Sequence, residues 1–175
     1  MASGTQSIVW SHMESPVGLI TLVANKRGLI YLDFHKQNDP VLAAKIWLNH
    51  WFRQYSLEKS EQALLPFIKQ LDEYFQKKRR VFEIPVDLYG TPFQKRVWRQ
   101  LQSIPYGEVR TYKEIASEIG SPKAVRAVGG ANNKNPLSII IPCHRVIGSN
   151  GSLVGYGGGL HIKEYLLTLE GWLKP

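Results

Sequence analysis

Two short strings decide most of what the second half of this chain can fold into. Thr91-Pro92-Phe93-Gln94 and Thr111-Tyr112-Lys113-Glu114 each set a hydroxyl three residues ahead of a Gln or Glu, the spacing of a capping box, and the first adds a proline at the first helical position. Each predicts a helix start. Phe93, Val97 and Leu101 continue one apolar face behind the first, up to a stop near Ile104-Pro105-Tyr106-Gly107, and Ile115, Ala116 and Ile119 follow the second. Gly120-Ser121-Pro122 then closes that helix and opens another, with Ser121 as N-cap and Pro122 as its first residue. Two short helices joined by a tight Gly-Ser turn resemble a helix-turn-helix, a nucleic-acid-binding device.

The helix expected after that turn, Lys123 to Asn133, is built from Ala, Val and Gly and lacks the long polar side chains that read base edges in a major groove. Small residues permit a close backbone approach, as a shallow minor-groove contact needs. Arg126 is the exception, a long cation among alanines and glycines, and an ordinary surface arginine is the plain alternative. Charge follows the same half. The net charge is +8, and up to Asp87 there are eleven Lys and Arg against nine Asp and Glu, whereas from Leu88 onward there are eleven against five. Such a bias favours a polyanionic partner, nucleic acid being the commonest.

The only cysteine, Cys143, lies in Ile139-Ile140-Ile141-Pro142-Cys143-His144-Arg145-Val146. The apolar run reads as a buried strand, and free cysteine is itself a residue type often found buried. Pro142 cannot continue a central ladder, so the strand should end there and present Cys143 on a turn. An adjacent imidazole and guanidinium lower a thiol pKa and make it a nucleophile. Beyond Val146, Gly148-Ser149-Asn150-Gly151 signals a tight hairpin turn with Ser152 to Tyr156 returning, then three glycines, Gly157 to Gly159. A last helix, Leu160 to Glu170, packs through Ile162, Leu166 and Leu169. Glu170 sits at its C-terminus, where the macrodipole disfavours an anion by about 0.3–1 kcal/mol, so it is either a tolerated surface residue or a functional one.

The first half reads as a meander of Ile8 to Met13, Leu19 to Ala24 and Leu29 to Phe34, joined by turn strings at Ser15-Pro16-Val17-Gly18 and Asn25-Lys26-Arg27-Gly28. Helical spacing follows from about Val41 to Tyr55, through Leu42, Ile46, Trp47, Trp51 and Tyr55, and again through Leu64, Ile68, Leu71 and Phe75. Lys77-Lys78-Arg79-Arg80 is read as a solvated helix end, and Val81 to Val86 as an extended segment. With one cysteine there is no internal disulfide, and the five histidines lack metal-ligand spacing. No signal-like start and no membrane-length apolar stretch are present, so a soluble, cytoplasmic protein with no membrane partner is expected.

Taken in order, these strings resemble the O6-alkylguanine-DNA alkyltransferases, also called methylated-DNA–protein-cysteine methyltransferases. The likeness runs through Gly90 to Gln94, Ile104 to Gly107, Arg126-Ala127-Val128-Gly129-Gly130, Asn135-Pro136, the octapeptide, Lys163-Glu164 and Glu170-Gly171. It covers most of residues 88–171 and is weaker in the first half. It implies an N-terminal ribonuclease-H-like α/β domain over residues 1–87, a small antiparallel sheet covered by helices. A mostly helical C-terminal domain over 88–175 would carry a winged helix-turn-helix.

The function implied is direct, irreversible, single-turnover transfer of the alkyl group from O6-alkylguanine in double-stranded DNA, with O4-alkylthymine a second substrate to consider, onto Cys143. Base flipping precedes transfer, because the reacting atom is inaccessible within the stack. By resemblance, His144 activates Cys143 through a water and Glu170 orients the imidazole. Tyr112 assists rotation and hydrogen-bonds the flipped base, and Asn135 orders the active-site turn. Arg126 fills the vacated space, with Ala127, Gly129, Gly130 and Ala131 against the DNA. Val146, Tyr156 and Gly157 form the base pocket, a Gly157 N–H meeting the leaving oxygen. Some relatives have serine at the position of Gly157. No cofactor and no metal are implied, and the protein is expected to act as a monomer. A DNA-binding sensor and a Cys-His hydrolase are the alternatives.

Overall fold

The computed structural model describes residues 4–35 and 38–175, which divide into two units, residues 1–89 and 90–175. In the first, β1 (Gln6–Ser15), β2 (Gly18–Asn25) and β3 (Gly28–Phe34) form the expected antiparallel meander, with His12 opposite Thr21 and Thr21 opposite Asp33. Gly28 is required where it stands. At φ 148°, a Cβ there would lie 2.2 Å from the Pro85 carbonyl oxygen. That approach lets Leu29 N–H donate to Pro85 and Asp87 N–H donate to Leu29, so the segment expected to be extended runs beside β3.

Helix α1 spans Leu42–Trp51, shorter than the spacing predicts. Phe52 turns to an extended conformation, and Tyr55–Lys59 forms β4, paired parallel to β1 with Gln6 opposite Tyr55. The sheet is therefore mixed, in the order β3-β2-β1-β4, and not purely antiparallel as expected. Trp51 and Tyr55 share helical spacing by coincidence. The half-buried Tyr55 and Leu57 alternate with exposed Ser56 and Glu58, the period of a strand. Ile8, Val23, Ile30, Val41, Ala44 and Leu48 make one core with Trp10, Trp47, Phe52 and Tyr89 around it. Helix α2 (Glu61–Phe75), capped by Ser60 and packed on β1 and β2, buries Leu64, Leu71, Tyr74 and Phe75. Arg79 of the basic run is tied to Glu73 at 2.8 Å, while Lys77, Lys78 and Arg80 are exposed.

In the second unit both capping boxes close. Gln94 N–H donates to Thr91 Oγ1 at 3.1 Å at the start of α3 (Pro92–Leu101), and Glu114 N–H to Thr111 Oγ1 at 3.1 Å at the start of α4 (Tyr112–Glu118). Helix α5 begins later than expected and spans Val125–Asn133. Ser121 to Ala124 forms a reverse turn, closed by Ala124 N–H on Ser121 O at 2.9 Å, so Ser121 is not the N-cap and Pro122 is not the first helical residue. The fixed φ of proline suits the second place of such a turn as well as a helix start. Trp98 fastens α3 to α5, its indole N–H donating to Ala131 O at 2.8 Å.

A two-residue parallel pair, β5 (Arg110–Thr111) with β6 (Val146–Ile147), and a last helix, α6 (Leu160–Leu169), complete the unit. The turn at Gly148–Gly151 forms, with Gly148 N–H donating to Ser152 O at 2.9 Å. The returning strand expected over Ser152–Tyr156 does not. The Val154 carbonyl is taken by Tyr112 and Lys163 side chains instead of a ladder partner.

Candidate active site around Cys143

The chain reaches Cys143 through a wound turn and not through the strand expected of Ile139–Ile141. Ile140 N–H donates to Ser138 O, Ile141 N–H to Leu137 O and Cys143 N–H to Ile141 O. Ile139 holds φ 72°, a left-handed conformation that costs a β-branched residue about 1–2 kcal/mol. All three isoleucines are buried, as a core strand would be; periodicity alone does not separate the two structures. Asn135 braces the turn from both sides, its Nδ2 donating to Ile141 O at 2.8 Å and its Oδ1 accepting from Leu137 N–H at 3.0 Å. Cys143 itself, 4% exposed, starts a short 3-10 turn, Cys143–Arg145, and its carbonyl accepts from the buried Asn132 Nδ2 at 3.4 Å.

The next two residues converge on Glu170, the C-cap of α6. His144 Nε2 lies 2.8 Å from Glu170 Oε1, with both side chains fully buried. Arg145 closes on the same carboxylate with two N–H donors, Nε to Oε2 at 2.9 Å and Nη2 to Oε1 at 2.8 Å, and its Nη1 donates to Ile104 O at 2.7 Å. Burial opposes the charge on Glu170, but the His144 and Arg145 contacts outweigh it and hold the carboxyl well below the usual carboxylate range. His144 goes down from its ordinary value, because burial and the Arg145 and Lys163 charges outweigh the pull of Glu170. The pair is thus a carboxylate and a neutral imidazole. His144 Nδ1, also buried, has no hydrogen-bond partner among the described residues. The carboxylate that the macrodipole disfavours is held by Arg145.

A second cluster holds the segment after β6. Tyr112, the first residue of α4, donates its hydroxyl to Val154 O at 2.9 Å, and Lys163 Nζ reaches the same oxygen at 2.9 Å and the Val146 carbonyl as well. Burial, with the Cys143 charge adding to it, pushes the Tyr112 hydroxyl up to about 12, so at neutral pH it remains a donor. Burial lowers Lys163 to about 8, against an upward pull from Cys143. Gly155 stands at φ 68°, its Cβ position 3.1 Å from the Tyr112 hydroxyl, so a side chain there would press on that oxygen. Val146 and Tyr156 are buried, and Gly157 lies in the turn that Gly159 N–H closes on Tyr156 O.

Comparison with known proteins bears on the whole chain. Residues 92–172 match the DNA-binding domain of 6-O-methylguanine DNA methyltransferase, and residues 8–88 match its ribonuclease-like domain. The methylated-DNA–protein-cysteine methyltransferase of Methanosarcina barkeri is 49% identical over 160 residues, 90% of this chain and 94% of that protein. The chain belongs to the methylated-DNA–protein-cysteine methyltransferase family. The corresponding enzyme of Mycolicibacterium paratuberculosis is 44% identical over 93% of this chain and 92% of its own. The Mycobacterium tuberculosis OGT, solved in complex with DNA, is 42% identical with a TM-score of 0.79, covering 93% of this chain and 92% of that one.

The methyltransferase chain turns a distinct face of α5 outward. Arg126, Ala127 and Gly130 are exposed and Gly129 is half-buried, while Val128 and Asn132 point inward. Ala131, expected among the outward residues, is 3% exposed, with its carbonyl bonded to Trp98, so it belongs to the α3 contact. A Cβ at Gly129 or Gly130 would meet nothing within 4 Å. Two helical glycines, each less favourable than alanine by about 0.5–1 kcal/mol, thus answer to no neighbour inside the protein.

Three site residues escape sequence reasoning. Arg145 is read there only as a neighbour of the thiol, and its charge is spent on Glu170. Lys163 and Asn132 each sit at a helical position whose neighbours are apolar or small, and only the fold shows that they point at carbonyls of the site. Among the described residues no group of three or more His, Cys, Asp or Glu could hold a metal, and no helix is long and apolar enough to cross a membrane.

Proposed function

We propose that this protein repairs DNA by moving the alkyl group of O6-alkylguanine, with O4-alkylthymine as a second substrate, onto Cys143 in one irreversible step. The observation that carries this is a buried thiol followed in sequence by an imidazole that a buried carboxylate orients, on a chain that belongs to the methyltransferase family. A thiol 4% exposed cannot meet a base inside a duplex, so the nucleotide has to be rotated out to it. Helices α4 and α5 act as the helix-turn-helix. The outward Arg126, Ala127, Gly129 and Gly130 approach the minor groove, and Arg126 fills the space that the base leaves.

In the chemical step His144 takes the proton of the Cys143 thiol through a water, with Glu170 holding the ring. The sulfur attacks the alkyl carbon, the carbon–O6 bond breaks, and its electron pair goes to the base, whose O6 becomes a carbonyl as N1 takes up a proton, balancing the proton that His144 took from the thiol. The protonated Tyr112 hydroxyl leaves the Val154 carbonyl, which Lys163 still holds, and donates to the base, and a backbone N–H at Gly157 meets the oxygen as charge develops. Val146 and Tyr156 wall the pocket, and Asn135 keeps the turn in place. Each molecule acts once, as a monomer in the cytoplasm and without a cofactor. Binding and chemistry are assigned to the domain of residues 88–175.

Incubation with a duplex containing O6-methylguanine should add one methyl mass to the peptide holding Cys143. Cys143→Ala should bind the same duplex unchanged and gain nothing. An unmodified Cys143 peptide under conditions of saturated binding overturns the proposal.

A further inference from the structure

The alkyl-transfer reading gives His144 and Glu170 their roles and leaves Arg145 and the Ile104–Gly107 turn without one. Arg145 is 7% exposed, and its Nε, Nη1 and Nη2 all donate within the protein. A carboxylate offers about four lone-pair directions, and around Glu170 four are taken. Oε1 receives His144 Nε2 and Arg145 Nη2, and Oε2 receives Arg145 Nε at 2.9 Å and the Gly107 N–H at 3.4 Å. The arginine is itself fixed by the Ile104 carbonyl and stacks its guanidinium 5.8 Å from the centroid of Tyr106. A proton on either carboxylate oxygen would meet a donor already there. Glu170 therefore accepts from His144 and cannot donate to it.

We propose that Arg145, fixed by the Ile104–Gly107 turn, is a positioning residue that saturates Glu170 and so holds His144 as a neutral ring with its proton on Nε2 and Nδ1 open. This rests on the alkyl-transfer reading, since an open Nδ1 is what lets His144 accept the thiol proton. The groups that face His144 are few. Glu170 and Lys163 come from α6 and its cap, Cys143 and Arg145 from its own turn, and α3, packed against that turn, buries only Val97, Trp98 and Leu101. Burial works against a charged ring first; Glu170 favours the charge, while Arg145 and Lys163 oppose it. Removing Arg145 deletes one opposing charge and leaves a buried carboxylate with His144 alone, so the pair takes up a proton at higher pH.

The test is the single-turnover rate of methyl transfer to Cys143 between pH 5.5 and 8.5 for the wild type, Arg145→Met and Arg145→Lys, beside duplex affinity and thermal melting. The wild-type rate should stay level down to about pH 6, and the acid limb of Arg145→Met should move up by about one pH unit, so that its transfer at pH 6 is roughly twofold slower than at pH 8. Arg145→Lys, which keeps the charge, should bring the limb most of the way back, with duplex affinity equal in all three. A limb in Arg145→Met that coincides with the wild type overturns the proposal. If Arg145→Met does not fold, the ¹⁵N-labelled imidazole of wild-type His144 decides: Nδ1 unprotonated at pH 7 sustains the proposal, and protons on both nitrogens overturn it. A wild type that transfers no methyl sinks the alkyl-transfer reading instead, and the imidazole measurement still stands on its own.

Discussion

The two units bury polar groups in opposite ways. Among the described residues, unit 1–89 buries the hydroxyl-bearing Ser11, Thr21, Tyr31 and Tyr74 and no Asp, Glu, His, Lys or Arg, whereas unit 90–175 buries Asn132, Ser138 and, around Cys143, His144, Arg145, Lys163 and Glu170. A buried charge costs several kcal/mol, and even a well-paired one is often no better for stability than an apolar pair of the same size. Stability therefore gives no reason to gather Arg145, Lys163 and Glu170, with an imidazole among them, around one cysteine. The first unit is organised by packing and the second by chemistry.

The largest expected effect tests that contrast where it is sharpest. Glu170→Gln leaves Arg145 buried against a neutral amide and should destabilise the protein by about 4 kcal/mol in urea denaturation, while slowing methyl transfer by about a hundredfold. A loss under 1 kcal/mol would mean that the cluster is not the costly arrangement the comparison takes it to be.

Leu71→Ala is the counterpart in the other unit. Leu71 is fully buried on α2, so its truncation should cost about 3 kcal/mol through lost contact and the cavity left behind. Measured on the folded fraction, the transfer rate should not change. A slower rate would show that the chemistry draws on the first unit too.

Asn135→Ala comes next. It strips a donor from the Ile141 carbonyl and an acceptor from the Leu137 N–H, in a turn that already holds Ile139 in an unfavourable conformation. About 2 kcal/mol of stability should go, together with faster amide exchange at Leu137 and about tenfold slower transfer. Unchanged exchange would relieve Asn135 of its role as a brace.

What was legible in the chain follows the range of the interactions. The capping boxes at Thr91 and Thr111 are satisfied within four residues, so the sequence predicts them and the structure shows both. The meander is local as well. Strand β4 is missed because Tyr55 pairs with Gln6 across 49 positions while fitting the preceding helical spacing. The Ile139–Ile141 turn is misread as a strand because burial shows in the residues themselves, whereas the Asn135 brace enters only through the resemblance. At the site, Cys143 and His144 stand out as neighbours, and Glu170 as an anion at the wrong helix end. Arg145 is missed because its partners, Ile104 and Glu170, lie 41 and 25 residues away.

The smallest effect is a dependence on pH carried by His144. His144 is held neutral in the folded protein, its pKa lowered by burial, whereas in the unfolded chain it titrates near the ordinary value of 6.5. Below that value the unfolded state binds a proton that the folded state refuses, so stability falls as pH falls. Glu170, depressed in the folded state, adds a loss of the same sign only below the ordinary carboxylate value, because there the unfolded chain takes up the proton first. Between pH 7.5 and 5.5 the His144 part alone should amount to about 1 kcal/mol. Urea denaturation of the wild type and His144→Gln across that interval isolates it: wild-type stability should fall further by that amount, parallel lines would show that folding leaves the His144 pKa unchanged, and a wild-type stability that rises relative to the variant as pH falls would show a proton held on His144 in the folded state, which would remove it as the base for Cys143.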